Sequence, residues 1–266
     1  MNDMISSRKK LVVKSNTLIQ EARYSLSVQQ QRILLYMISR IDPNQDHFTP
    51  CEISITEFCA LCGLEGKYYA QLKQAISSLA SCKYWFTFDG IHKLKSWISS
   101  EVEPTVDERG GTVTLQLSES MRPYLLHLHE KFTQYELQWV LTFKHKYSIR
   151  LYEYVISRHY NKLKEYSFTV PVEQIKAIMG AETYGRFCDY HRKALAPAVQ
   201  EIDSKTNIHL TYNLKHKGKA VTDIEFTVEA LEALQMAERE SNVQHELGID
   251  PDQITLWDEL KGRGLV

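Results

Sequence analysis

The chain has 266 residues, 43% of them hydrophobic, and a formal net charge of −1. That supply of apolar side chains suffices for one large or two ordinary domains. No stretch approaches the roughly 18 uncharged apolar residues of a membrane span, and the polar, basic start at residues 1–10 lacks the apolar core of a signal peptide. We therefore expect a cytoplasmic protein that does not contact membranes.

The small net charge conceals an uneven distribution along the chain. Residues 1–143 carry 15 basic and 15 acidic side chains, residues 144–222 carry 14 and 7, and residues 223–266 carry 3 and 11. A basic block followed by an acidic tail favours a nucleic-acid partner for the block. From charge alone, a solvated lysine-rich surface explains the pattern equally well.

The first half of the chain predicts an ordered series of helices and strands. Ser27 to Gln30 has the form of a capping box that opens a helix with one apolar face, and Ser54 to Glu57 has the same form before a short helix. Gly63 marks the end of that short helix. The remaining predicted elements are an extended stretch at residues 48–53, a longer helix at residues 68–82, and strands at residues 83–88, 94–102 and 112–117, the last two joined by a turn-rich segment.

The pattern changes in the segment that links the two halves of the chain. A helix is predicted over residues 119–129, with Pro123 in its first turn, and a short apolar helix over residues 137–143. We place a domain boundary in the connection between these helices, near residues 129–134.

The second half repeats the element order of the first. After a helix over residues 146–160 and a strand over residues 166–170, a short helix begins at Pro171 and ends at Gly180, 117 positions after Gly63. A longer helix over residues 189–205 and strands over residues 208–215 and 221–228 follow, the strands joined by the basic turn Lys217-Gly218-Lys219.

Helix, strand, helix, helix, strand, turn and strand is the order of a winged helix, a helix-turn-helix with an added β-hairpin. We thus predict an α+β fold of two tandem winged-helix domains. Residues 1–130 form the first domain, residues 131–228 the second, and residues 229–266 an acidic carboxy-terminal tail.

The cysteines predict neither a disulfide framework nor a metal site. Their number is odd and their spacing lacks a scaffold pattern, as expected for reduced thiols: Cys51, Cys59, Cys62, Cys82 and Cys188. Cys59 and Cys62 have the spacing of half a zinc site, but no second pair follows at zinc-site distance. Packing of small buried residues is the favoured interpretation, and we predict no metal and no cofactor.

The winged-helix order predicts a surface for double-stranded DNA in the second domain. The major groove is about 12 Å wide and accepts one helix, while a hairpin reaches neighbouring phosphates. The residues predicted to read bases lie at or just before the start of the longer helix: Arg186, His191, Arg192 and Lys193. Those predicted to bind phosphates are Lys144, Lys146, Lys205, Lys215, Lys217 and Lys219. Pro197 lies in the same helix and is expected to cost a hydrogen bond and to kink the helix.

The first domain offers weaker candidates. Auxiliary contacts to DNA are predicted for Lys67, Gln71 and Lys73, which lie on or before its longer helix. The aromatic and apolar residues of its strands have the composition of a surface that pairs with a second copy of the chain. The residues predicted for this homodimer interface are Tyr84, Phe86, Trp97 and Ile98.

Four stretches of sequence carry a likeness to known proteins. They are residues 24–36, residues 132–135, residues 147–153 with Arg150-Leu151-Tyr152-Glu153 at their centre, and residues 198–202. Together they resemble the iteron-binding plasmid replication initiators of the RepA/RepE/RepB/π superfamily. The similarity covers residues 11–228, and the acidic tail lies outside it.

The resemblance implies a function in starting plasmid replication. The second domain would bind direct repeats (iterons) at the origin as a monomer, the first would dimerise, and dimers would repress the protein's own operator. Host replication proteins, such as a helicase or its loader, would be further partners. Arg186 and Arg192 fall where relatives place base-contacting arginines, whereas His191 and Lys193 stand where some relatives have arginine.

Other functions remain open from the sequence. A winged-helix transcription regulator, or a winged helix that binds protein, would share most of these features. His127-Leu128-His129 matches the metal motif of rolling-circle nicking initiators, with Tyr135 or Tyr147 as the nucleophile. Because residues two apart on a helix point about 200° apart, the predicted helix disfavours that chemistry. We predict that the protein is not an enzyme.

Overall fold

The computed structural model describes residues 2–64, 69–88, 91–107, 111–159 and 164–248. It begins with four helices and strands that lie before the first helix predicted from the sequence. The serine hydroxyl of Ser15 accepts a hydrogen bond from the backbone of Leu18 and so starts the second helix. These elements are α1 (Asn2–Arg8), β1 (Leu11–Ser15), α2 (Asn16–Glu21) and β2 (Ala22–Arg23).

The first winged helix follows. Both hydrogen bonds of the predicted capping box between Ser27 and Gln30 are present, whereas Ser54 caps its helix by accepting from the backbone of Glu57. Gly63 has the positive φ of +63° that a helix end requires. The elements are α3 (Val28–Ile38), β3 (Cys51–Ser54), α4 (Ile55–Leu61), α5 (Tyr69–Ser81), β4 (Lys83–Phe88), β5 (Ile91–Ser96), β6 (Thr105–Asp107) and β7 (Thr112–Leu115).

Strand pairing in this unit differs from the prediction. Residues 94–102 do not form one strand that pairs with residues 112–117; instead β5 pairs with β4, and β7 lies between β3 and β6. A single bridge from Ile98 to Leu117 joins the two groups. Trp97 and Ile98 are both buried, and two successive buried residues cannot continue a strand with one exposed face.

The linking segment also differs from its prediction. A 3-10 turn (Glu119–Met121) leads into α6 (Arg122–Leu125), β8 (Phe132–Glu136) and α7 (Gln138–Leu141). The helix predicted to reach residue 129 ends at Leu125, and His127 and Lys131 both have φ of +51°. A right-handed helix excludes that backbone conformation.

The start of the chain pairs with the linking segment. β1 and β8 form an antiparallel two-stranded sheet in which Val12 lies opposite Tyr135. This pairing crosses the predicted domain boundary near residues 129–134. The division into residues 1–130 and 131–228 stays a prediction.

The second winged helix has the predicted order. Its sheet is arranged β10-β11-β9, and Gly180, with φ of +66°, ends the short helix that follows Pro171. The elements are α8 (Lys146–Ser157), β9 (Glu165–Pro171), α9 (Val172–Met179), α10 (Phe187–Tyr190), a π-helical turn (His191–Leu195), α11 (Ala196–Lys205), β10 (Ile208–Lys217), β11 (Ala220–Ala230) and α12 (Ala233–Glu246).

The Arg-Leu-Tyr-Glu motif in α8 lies at the junction of the two winged helices. The buried Arg150 guanidinium donates to the carbonyl oxygens of Ala22 and Ile178, each at 3.0 Å, and therefore joins the two units. Buried Glu153 accepts from Lys14 Nζ at 2.5 Å and from Tyr135 Oη at 2.7 Å. The two units consequently share one continuous core. No helix among the described residues is long and apolar enough to cross a membrane.

Candidate nucleic-acid interface

The predicted reading helix is continuous but irregular. α10, the π-helical turn and α11 follow one another without a break from residue 187 to residue 205. Pro197 has no N–H to offer the carbonyl of Lys193, and the chain responds with a wider turn in which Ala196 N–H donates to His191 O, five residues back. The irregularity that the sequence predicts at Pro197 is therefore a π-helical turn just before the proline.

The basic side chains at the start of this helix divide into two kinds. Arg186 and Lys193 are exposed and have no partner among the described residues. Arg192 is 71% exposed and contacts Asp189 at 3.3 Å. These three side chains are therefore available to a ligand in solution.

His191 differs from its neighbours because it is half-buried. Its Nε2 lies 2.7 Å from Tyr212 Oη, and its ring packs against Phe187 with centroids 5.8 Å apart. Since Tyr212 belongs to β10, His191 fixes the start of the helix to the wing. His191 thus positions the helix start relative to the wing, a role that the sequence did not predict for it.

The β10–β11 hairpin is the wing of the second unit. Gly218 turns the chain with φ of +63°, and Lys217 and Lys219 on either side are exposed without a partner in the described ranges. Lys215 instead pairs with Glu225 at 2.8 Å. From Tyr212 the strand continues for five residues, roughly 17 Å, to Lys217, so the wing tip extends beyond the start of the helix.

The other predicted phosphate ligands lie elsewhere. Lys205 is the last residue of α11, roughly 20 Å along the helix from Arg192, and its Nζ donates to Glu246 Oε1 at 2.7 Å. Lys144 Nζ lies 3.9 Å from the same carboxylate. Lys146 Nζ donates to Ser25 Oγ at 3.1 Å. The structure therefore places Lys205 and Lys144 together beside Glu246, at the far end of α11 from Arg192.

The four residues predicted for a dimer interface are in the core of the first unit. Tyr84, Phe86, Trp97 and Ile98 are buried, and Tyr84 stacks on Trp97 with ring centroids 4.6 Å apart. Their side chains face the core of this chain rather than solvent, and their role in a dimer stays a prediction that this burial does not favour. Because side chains alternate across a strand, the outward face carries Trp85 and Leu94, directly opposite each other and 54% and 52% exposed.

The auxiliary DNA contacts predicted for the first unit lie at the amino-terminal side of α5. Gln71 and Lys73 are exposed on this helix. Lys67 lies outside the described residues. The role of all three stays a prediction.

Glu201 is a buried residue of this region for which the sequence predicts no role. Its carboxylate accepts hydrogen bonds from the Lys144 N–H and from Ser148 Oγ, each at 2.6 Å, and so caps the start of α8 from α11. The sequence offers no signal for this contact because Ser148 and Glu201 are 53 positions apart.

The residues considered for nicking chemistry have other partners. His127 Nε2 contacts Asp46 at 3.3 Å. Burial and the adjacent Glu153 carboxylate raise the pKa of Tyr135 well above its usual value, and burial raises the pKa of Tyr147. Neither phenol is disposed to become the anion that a nucleophile requires.

The two cysteines of the half zinc site are also accounted for. Cys59 and Cys62 are buried, and burial raises the pKa of Cys62 to about 12. A thiol of that pKa stays protonated and unreactive at neutral pH. In the described part of the chain no group of three or more His, Cys, Asp or Glu residues could hold a metal ion.

Comparison with known proteins finds a family model that matches each of the two units. Residues 11–156 match the family model described as "Initiator Replication protein, WH1", and residues 171–228 match "Initiator Rep protein, WH2". The chain belongs to the initiator replication protein family. The predicted resemblance is thereby confirmed, as are the two winged-helix domains.

Two relatives illustrate the range of this initiator family. A curated "Replication initiation protein" from Escherichia coli is 25% identical over 147 residues, which are 54% of this chain and 46% of that protein. The chain thus aligns with less than half the length of this relative. The crystal structure of the Pi initiator protein in complex with iteron DNA superposes with a TM-score of 0.71 at 22% identity, covering 85% of this chain and 99% of the other. This likeness shows the shared fold.

Proposed function

We propose that this initiator binds directly repeated duplex sites at a plasmid origin through its second winged helix and thereby starts replication. The observation that carries the proposal is the set of unpaired cations at one end of that unit: Arg186 and Lys193 at the helix start, and Lys217 and Lys219 on the wing. The iteron DNA named for the structurally similar Pi initiator protein supports the same ligand.

The arrangement of these side chains suits binding to DNA without a chemical reaction on it. A helix of this size enters the major groove, where an arginine can bond to O6 and N7 of a guanine. The wing lysines bind phosphates of the flanking backbone and set the register. The bond between His191 and Tyr212 holds the two contact regions at a fixed separation before DNA arrives, which lowers the entropy cost of binding.

Binding isotherms on three duplexes test this function. We expect the highest affinity for direct repeats taken from the DNA that flanks the gene, with one protein bound per repeat. A palindromic duplex of the same composition and a random duplex should bind more weakly. A preference for the palindrome would instead favour the transcription regulator, because a two-fold dimer reads a two-fold site.

We also propose that a homodimer forms through the β4–β5 hairpin and represses the protein's own operator. Trp85 and Leu94 form an exposed apolar pair on its outward face, and β5 is an edge strand of its sheet within the described residues. Edge strands with apolar faces favour pairing between chains. Host helicase or its loader would be recruited by the monomer.

Sedimentation of a charged variant tests the dimer. Leu94→Lys places a cation on the outward face and should convert the dimer to a monomer, because a buried charge without a partner is costly. Thr114→Lys, on the separate sheet of the same unit, serves as the control for added charge. An unchanged dimer in Leu94→Lys would contradict this interface.

A further inference from the structure

α12 follows the second winged helix and lies beyond residue 228, where the family match ends. Its amino-terminal part is exposed to solvent, with Leu234 84% exposed. At its other end Val243, Gln244 and Leu247 are buried. The buried part of the helix that docks on the rest of the protein is thus its last turn, while Met236 packs at the edge of the core and Glu240 pairs with Lys9 at 3.0 Å.

Arg8 connects this last turn to the first unit. Its guanidinium is fully buried and donates to Gln244 Oε1 at 2.8 Å and to the carbonyl oxygen of Leu247 at 3.0 Å. The same group donates to the carbonyl oxygens of Ala60 and Leu61, at 2.9 and 3.0 Å. One cation thus lies between the carboxy-terminal ends of α4 and α12, where helix carbonyls lack partners.

Two further contacts fix the same turn. Gln244 Nε2 donates to Gln138 Oε1 of α7 at 2.7 Å. Gly63, just after α4, lies so close that a Cβ added there would be 3.0 Å from the Cα of Leu247. Burial lowers the pKa of Arg8 to about 10, which leaves the guanidinium charged at neutral pH. Its partners among the described residues are three backbone carbonyls and the Gln244 side-chain amide oxygen, whose dipoles stabilise the buried charge.

The adjoining residue contacts the second unit. Glu246 Oε1 lies 2.7 Å from Lys205 Nζ, at the end of α11, and 3.9 Å from Lys144 Nζ, just before α8. Lys205 Nζ is held in place by the carbonyl oxygen of Thr142 at 3.2 Å. Within one helical turn, therefore, Gln244 is bonded to the first unit and Glu246 to the second.

We propose that the last turn of α12, residues 243–247, is a clasp that fixes the orientation of the first winged helix relative to the second for binding DNA. Arg8 and Gln244 act as positioning residues, and their role in DNA binding rests on the proposed function. Two units held in one orientation bind a single duplex at high effective concentration, whereas units whose relative orientation varies lose part of that advantage. This assigns a function to one turn of the acidic tail.

The orientation can be measured directly in the full-length protein. Spin labels at Gln74→Cys on α5 and Thr222→Cys on β11 occupy exposed positions, one on each unit, and pulsed electron double resonance gives the distribution of distances between them. The native thiols that a label could reach are replaced by serine: Cys51, Cys82 and Cys188.

Two variants open the clasp and one serves as the matched control. Gln244→Ala removes the bonds that Gln244 makes to Arg8 and to Gln138 of α7, and Arg8→Met also removes the bond to the Leu247 carbonyl. Both should broaden the distance distribution, while Leu234→Ala, on the exposed start of the same helix, should leave it narrow. Circular dichroism checks that each variant is folded, and Gln244→Ala decides the question if Arg8→Met fails to fold.

Affinity for duplexes of two lengths provides the second measurement. On a duplex long enough to reach both units, Gln244→Ala should bind about tenfold more weakly than the unmodified protein, because effective concentration is lost. On a duplex that reaches only the second unit, the change should be less than about twofold. A narrow distance distribution in folded Gln244→Ala, or unchanged affinity for the long duplex, would overturn the clasp. Failure of the unmodified protein to bind DNA would overturn the proposed function, and the distances would still test the clasp.

Discussion

Arg192 and Lys217 carry the same charge but differ in what they can distinguish on DNA. Phosphates are alike at every base step, so Lys217→Ala should weaken binding to repeat and random duplexes equally and should reduce the salt slope by about one unit. Arg192→Ala should cost about 1–3 kcal/mol on the repeat duplex and less on the random one, because only a guanine accepts the forked bond. Arg186→Ala should behave as Arg192→Ala.

Isotherms on both duplexes at several salt concentrations make this comparison. Lys219→Ala, on the other side of the same turn, should behave as Lys217→Ala. Equal losses on the two duplexes for Arg192→Ala and Arg186→Ala would show that both arginines bind the backbone, and specificity would then have another source.

Gly180 lacks a side chain, and this allows the two units to pack closely at that point. A Cβ at this position would lie 2.6 Å from the carbonyl oxygen of Tyr24, in the first unit. Gly218 has nearly the same φ, +63° against +66°, and no atom of the described residues lies within 4 Å of its Cβ position. Gly218→Ala should therefore cost only the strain of a left-handed residue, about 1–2 kcal/mol.

Gly180→Ala should cost this strain and, in addition, the displacement of a packed backbone, about 1–3 kcal/mol more. Urea denaturation of both variants measures the difference between them. Equal losses of unfolding free energy would mean that the contact between Gly180 and Tyr24 adds nothing to stability.

At the scale of elements, the π-helical turn before Pro197 sets the direction of the basic side chains. Pro197→Ala restores an N–H for the carbonyl of Lys193, so the helix can rewind by one residue, about 100°. We expect unfolding free energy to stay the same or rise, while affinity for the repeat duplex falls because Arg192 leaves its position.

Thermal denaturation and binding isotherms on the same variant test the role of this turn. Gln200→Ala, at an exposed position of α11, controls for a substitution in the helix itself. Full affinity in Pro197→Ala would show that the wide turn is irrelevant to recognition.

Elements with local signals were predictable from the sequence. β4 begins and ends as predicted, at Lys83 and Phe88, and Gly63 and Gly180 end their helices because a positive φ is a property of one residue. β1 gave no such signal, since its partner strand β8 lies more than a hundred residues later. Partners far apart in sequence leave no periodic pattern.

The same limit applies to the candidate site. The exposed cations of the helix start and wing were predictable because basic residues cluster in the sequence there. Which face of the β4–β5 hairpin is buried was not, since Trp85 and Phe86 are both aromatic and alternation alone does not choose between them. Lys205 pairs with Glu246 across 41 positions, a contact that only the fold brings about.

At the scale of the whole molecule, the buried charges at the junction should make the two winged helices unfold together. Glu153→Gln leaves Lys14 and Arg150 without a carboxylate and should lower the unfolding free energy by about 3–5 kcal/mol. The loss should be the same whether it is followed by tryptophan fluorescence or by far-ultraviolet circular dichroism. Glu165→Gln, an exposed carboxylate on β9, should change little.

Lys14→Met combined with Glu153→Gln should recover part of the loss, because the unpaired ammonium is then gone. Separate transitions for the two probes would show that the units unfold independently. The junction would then be a contact between domains rather than a shared core.

The pairing of β1 with β8 has a consequence for the order of events during synthesis. Val12 leaves the ribosome long before its partner Tyr135 exists. At bacterial elongation speeds of about 5–20 residues per second, β1 waits roughly 6–25 s with an open edge. Over that interval the nascent amino terminus exposes unpaired backbone groups to chaperones and to other nascent copies. We therefore infer that the amino-terminal strand pairs only after translation has passed β8, when the start of the second winged helix is about to be made.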